Sequence, residues 1–112
     1  MADSKLSVKL NEAWTHRVKH HHEEAETVFR EVLTNYPDHV EALYGLAQAL
    51  MEQGKDKDAI KSFKQAAKLL QDGALGKDEL RASLLRRQAL GHIERLTKGS
   101  WDLISIGNAI PK

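Results

Sequence analysis

The chain has 112 residues, 41% hydrophobic and 29% charged, with a formal net charge of +1. That suffices for one small domain with a real core, and the near-neutral charge argues against a whole-domain nucleic-acid or membrane binder. The absence of cysteine excludes disulfides, thiolate metal sites and cysteine nucleophiles.

No run of about 18 apolar residues exists to span a bilayer. The N-terminal MADSKLSVKLNE lacks the apolar stretch of a signal peptide. A cytoplasmic location is therefore expected.

The elements read in chain order as helices over about 6–19, 22–35, 39–53, 56–71 and 77–98. Leu43, Leu46, Ala47 and Leu50 form one apolar stripe at helical spacing, and Ile60, Phe63, Ala67 and Leu70 form another. Pro37 interrupts between the second and third helices, because the residue before a proline is pushed out of the helical region. Asp38 with Glu41 then predicts an N-cap at Asp38. Gly54, Asp72-Gly73 and Gly99 predict the ends of the third, fourth and fifth helices, since a glycine easily takes the left-handed cap conformation. Short connections make successive helices antiparallel.

An internal repeat is present. Ala25 and Phe29 recur 34 residues later as Ala59 and Phe63, and His20 falls opposite Gly54 at the same offset. The second unit carries Leu43-x2-Leu46-Ala47-x2-Leu50 followed by Ala59-x3-Phe63. The first carries Ala25-x3-Phe29 and closes with Pro37, although Lys9 and Glu12 in its first helix depart from the pattern. A third unit is hinted at by Leu80, Leu84 and Ile93, which lie 34 beyond Leu46, Leu50 and Ala59. These residues resemble the tetratricopeptide repeat over roughly 6–72. The expected fold is all-α: one domain of antiparallel helix-turn-helix repeats (about 6–38 and 39–72) in a solenoid, a capping helix at 77–98 and an apolar tail at 99–112.

The resemblance implies a right-handed stack whose first helices line a concave groove that binds peptides or protein segments. With Leu43, Leu46, Ala47 and Leu50 facing the core, Tyr44, Gln48 and Met51 fall on the neighbouring stripe of that helix. Their counterparts on the first helix are Leu10, Trp14 and Arg17. Leu10, Trp14, Arg17, Tyr44, Gln48 and Met51 are thus the candidate partner-binding residues, with Trp14 packing into the core as the alternative for that side chain. Aromatic and methionine side chains suit adaptable apolar recognition. The lysine and asparagine set with which some family members clamp carboxylates is missing, so a chaperone tail is not the expected ligand.

The stretch Lys19-His-His-His-Glu-Glu-Ala-Glu26 falls in the turn between the first two helices. His16 and His20 stand four apart and are the candidate metal ligands, with His21, His22 or Glu23 nearby. His20, however, takes the place of Gly54 at a helix end, where positive φ spoils a four-apart chelate, and histidine tolerates that conformation better than most residues. The reading favours a solvated turn with no metal or other cofactor.

The tail carries Trp101, Leu103, Ile104 and Ile106. Because few repeats leave faces uncovered, it is a candidate to dock in the groove of its own or another chain, making self-association the alternative function. Residues 77–112 hold seven basic against four acidic side chains. This reads as the solvated face of a capping helix rather than a nucleic-acid surface. There is no H-E-x-x-H, no phosphate loop and no placed nucleophile, and His92 reads as a helix-surface residue, so no enzyme is expected.

Overall fold

A computed structural model describes the backbone of residues 2–109 and the side chains of residues 5–98. Five helices follow one another: α1 (Ala2–Val18), α2 (His22–Asn35), α3 (Val40–Glu52), α4 (Asp56–Gln71) and α5 (Glu79–Ala109). Each packs on its neighbours in the chain, and α1 also touches α3. No strand occurs among the described residues.

Three turns share one hydrogen-bond pattern. After α1, His20 N–H donates to the Arg17 carbonyl at 3.0 Å and His21 N–H to the His16 carbonyl at 2.7 Å. After α3, Gly54 and Lys55 donate likewise to Met51 and Leu50, at 3.0 and 2.9 Å. After α4, Gly73 and Ala74 donate to Leu70 and Leu69, at 3.3 and 2.9 Å. This is the Schellman closure, which satisfies the last helical carbonyls and needs one residue at positive φ. That residue is Gly54 (φ 78°) or Gly73 (φ 89°) in two turns and His20 (φ 64°) in the first.

Helix ends differ from the sequence expectation in α1, which already starts at Ala2 rather than about residue 6, and in α3 and α5. The α3 N-cap is His39 rather than Asp38: its Nδ1 accepts from Ala42 N–H at 3.2 Å. The imidazole supplies the acceptor one residue later than the acidic pair suggested. The fifth helix starts at Glu79, with Asp78 Oδ1 accepting from Arg81 N–H at 3.2 Å, and runs through Gly99 to Ala109. Its interior carries Gly91, Gly99 and Gly107, each of which costs a helix about 1 kcal/mol without ending it. The next residue that breaks a helix outright is Pro111. The side chains of Trp101, Leu103, Ile104 and Ile106 lie outside the described residues.

The core is aliphatic with two aromatic centres. Phe29 and Phe63 are fully buried, as are Ala13, Ala25, Ala47, Ala59 and Ala89, whose small side chains let helices approach closely. Leu43, Leu46, Leu50 and Leu70 are buried with them. Gly45 does what no alanine can: a Cβ there would overlap the Phe29 ring, so α2 and α3 meet over a bare backbone. Glu26 ties the same junction together on the polar side. Its Oε1 accepts from Gln53 Nε2 at 2.9 Å and Lys55 Nζ at 3.0 Å, and its Oε2 from Arg30 Nε at 2.8 Å. Burial pushes this carboxyl up, but the three donors outweigh it and hold its pKa at about 2.

The third unit is half a unit. Leu46 and Leu50 are 4% and 1% exposed, whereas Leu80 and Leu84, their counterparts one repeat on, are 73% and 50% exposed. Instead α5 turns Leu85, Ala89, Ile93 and Leu96 toward the core. It acts as a capping helix on α4.

Candidate functional site

The inner face of the stack is built from α1, α3 and α5. Tyr44 Oη donates to Gln88 Oε1 at 3.1 Å, and Arg81 reaches Glu41 at 3.6 Å, so side chains of α5 reach across to α3. Between them opens a cavity of about 420 Å³ bounded by Trp14 of α1, Tyr44 and Gln48 of α3, Leu75 of the connecting loop, and Arg81 and Leu85 of α5. Its floor is apolar. The Arg81–Glu41 pair is a polar edge, which suits a site that excludes water at its centre and orients a ligand at its rim.

The six groove candidates separate in space. Trp14, Tyr44 and Gln48 come together on the cavity wall. Trp14 is half-buried, edge-on to Phe29 at 5.2 Å. Tyr44 is largely buried, edge-on to Phe63 at 5.5 Å. Burial pushes its hydroxyl pKa up against the opposing pull of Arg17 and Arg95, so it stays a neutral donor. Arg17 lies 5.6 Å over the Trp14 ring and pairs with Glu52 at 2.8 Å; it holds the wall without lining the cavity. Leu10 is buried in the core at the place Tyr44 takes one repeat later, and Met51 packs against that core from its edge.

The α5 and loop contributions were not legible in the sequence, because α5 departs from the 34-residue register. His92, also on α5, lies beside Tyr44 rather than on the cavity wall. Its ring stacks on Phe63 at 4.9 Å and 20°, half-buried rather than free on the surface, and Arg95 Nη2 lies 2.6 Å from its Nδ1. Burial, then Arg95 and Arg17, lowers its pKa. A neutral ring therefore accepts from Arg95.

The histidine-rich turn divides the candidate metal ligands between two groups. His16 lies with His21 and Glu24, and His20 with His22 and Glu52. Helix α1 ends between His16 and His20, so the four-apart pair does not share a face.

A stack of antiparallel helical hairpins with an inner groove is the architecture of a helical-repeat interaction protein. The family model described as tetratricopeptide repeat matches residues 10–74, and the chain belongs to that family. Members of the family generally mediate protein–protein interaction or scaffolding and are not generally catalytic. No curated protein and no solved structure gives a match. Among the described residues, no helix is long and apolar enough to cross a membrane.

Proposed function

We propose that the protein is a scaffold module that holds a peptide or protein segment in the groove between α1, α3 and α5. The observation that carries this reading is the cavity walled by all three helices, with Trp14, Tyr44, Leu75 and Leu85 beneath a Gln48–Arg81–Glu41 rim. An apolar anchor of the ligand fills the floor, where burying one aliphatic side chain contributes about 1.5–3 kcal/mol. Its flanking backbone meets the polar rim. Arg17, Leu10 and Met51 support the wall from behind.

Selection from a displayed random-peptide library tests this. The expected ligands carry an apolar anchor and weaken about tenfold or more on Gln48→Arg or Arg81→Glu. Both residues keep part or all of their side chain in solvent, so the fold survives the change. Peptides that bind wild type and both variants alike would place recognition elsewhere.

The bare face of Leu80 and Leu84 favours a second reading, self-association, because repeats need a neighbour to bury their faces. Light scattering on the full chain, on Leu80→Lys/Leu84→Lys and on a chain ending at Thr97 separates the routes. A dimer lost only in the leucine variant uses the α5 face, and one lost only on truncation uses the tail. A monomer throughout removes association between chains.

A further inference from the structure

The turn between α1 and α2 contains an arrangement that neither family membership nor the groove explains. We propose that His20, His22 and Glu52 form a binding site for a divalent transition-metal ion of the zinc type, clasping the first turn onto the end of α3.

The ligand atoms of these three residues all lie within 4.8 Å of one another. His22 Nδ1 and Glu52 Oε2 are 3.2 Å apart, close to the roughly 3.4 Å edge of a tetrahedron with bonds of about 2.1 Å. Glu52 comes from α3, which no local spacing rule brings to this turn. His20 is exposed, so its ring has room to close on the other two ligands. Two imidazoles and one carboxylate with an open fourth position suit zinc and its neighbours, whereas calcium and magnesium prefer oxygen ligands alone.

Three further observations point to a ligand. His22 Nδ1 is enclosed and, although Glu52 Oε2 lies 3.2 Å away, is aligned for a hydrogen bond with neither it nor any other described residue; an ion shared by the two would satisfy both atoms. His20 holds φ 64° in the same turn that elsewhere uses Gly54 and Gly73. The turn therefore presents an imidazole at the position that glycine fills in the other two turns. Glu52 is also oriented from behind, its Oε1 receiving Arg17 at 2.8 Å while Oε2 faces the imidazoles; ligating carboxylates characteristically have such an outer partner. The neighbouring His16, His21 and Glu24 group has one enclosed unbonded nitrogen, His16 Nδ1. Its His21 and Glu24 are exposed and stand 3.9 Å apart, and among the described residues no outer cation holds the carboxylate. Because Arg17 also lies over Trp14, metal at Glu52 would fix one wall of the groove.

The test is calorimetric titration of the metal-free full chain with Zn²⁺, with Ca²⁺ as control, alongside cobalt absorption and thermal melts. One zinc per chain is expected, with no calcium binding and with the visible bands of a four-coordinate cobalt site. His20→Gly keeps the turn, since glycine suits φ 64°. It should melt no lower than wild type without metal yet bind zinc about tenfold or more weaker, and Glu52→Gln should weaken binding similarly. His21→Ala should change nothing. The proposal is overturned by absent zinc binding, by wild-type affinity in His20→Gly, or by loss of the ion in His21→Ala, which would put it at the neighbouring group.

Discussion

Two glycines inside helices make opposite predictions when each becomes alanine. An alanine ordinarily stabilises a helix interior by about 0.5–1 kcal/mol over glycine, because it loses less backbone freedom on folding. At Gly91 of α5 nothing lies within 4 Å of the added Cβ, so Gly91→Ala should gain that amount, roughly 2–4 °C in melting temperature. At Gly45 of α3 the Cβ would overlap three carbons of the Phe29 ring. That ring is fully buried and braced edge-on by Trp14, so it cannot turn aside cheaply and the helices must part. Overpacking of this kind costs about 1–3 kcal/mol. Set against the helix gain, Gly45→Ala should lose about 1–2 kcal/mol, or roughly 4–10 °C.

The assay is urea and thermal unfolding followed by circular dichroism, on Gly45→Ala, Phe29→Leu and the double variant. The smaller leucine makes room, so the pair should show a coupling of about 1 kcal/mol or more. A stabilised Gly45→Ala, or a coupling below about 0.3 kcal/mol, would refute the close approach of α2 and α3. Because Phe29 braces Trp14, Gly45→Ala should also shift Trp14 emission, read in a Trp101→Phe background.

Leu46→Ala should cost about 2–5 kcal/mol, whereas Leu80→Ala, one repeat on but 73% exposed, should cost less than about 0.5 kcal/mol; equal losses in urea melts would mean that α5 is covered on that face. Glu26 has a folded pKa of about 2 against an ordinary 4.5, so it binds fewer protons folded than unfolded. Its contribution is full above about pH 4.5 and fades as the pH falls toward 2. After solvent screening it is about 1–2 kcal/mol, and Glu26→Gln should flatten that limb of stability against pH; an unchanged limb would contradict the three-donor arrangement. Trp14 is half-buried, so in Trp101→Phe its fluorescence should be partly quenched by acrylamide. Full protection would place it wholly in the core, with no share in the groove.

The local physics of the chain sets the helices and the turns between them. Stripes at 3.6-residue spacing, Pro37, and the glycines at 54 and 73 act within a few residues, so their outcome can be read without knowing the neighbours. The 34-residue recurrence of Ala25 and Phe29 as Ala59 and Phe63 likewise determines the stacking, because a small residue and a filling ring must meet at each hairpin. Those same rules place Leu80 and Leu84 inside, and there tertiary structure decides otherwise: burial requires a following helix, and none of the described residues supplies one.

The site divides the same way. Trp14, Tyr44 and Gln48 are legible because they share the inner stripe of repeating helices. Leu10 shares that stripe too, but its side chain is short and apolar enough to sink into the core, while Arg17 is drawn aside by Glu52. The contributions of Leu85 and Arg81 depend on how α5 rolls against α4, which no repeat register specifies. The approach of Glu52 to His20 and His22 joins residues about 30 positions apart in the chain, and only the packing of α3 against the first hairpin creates it.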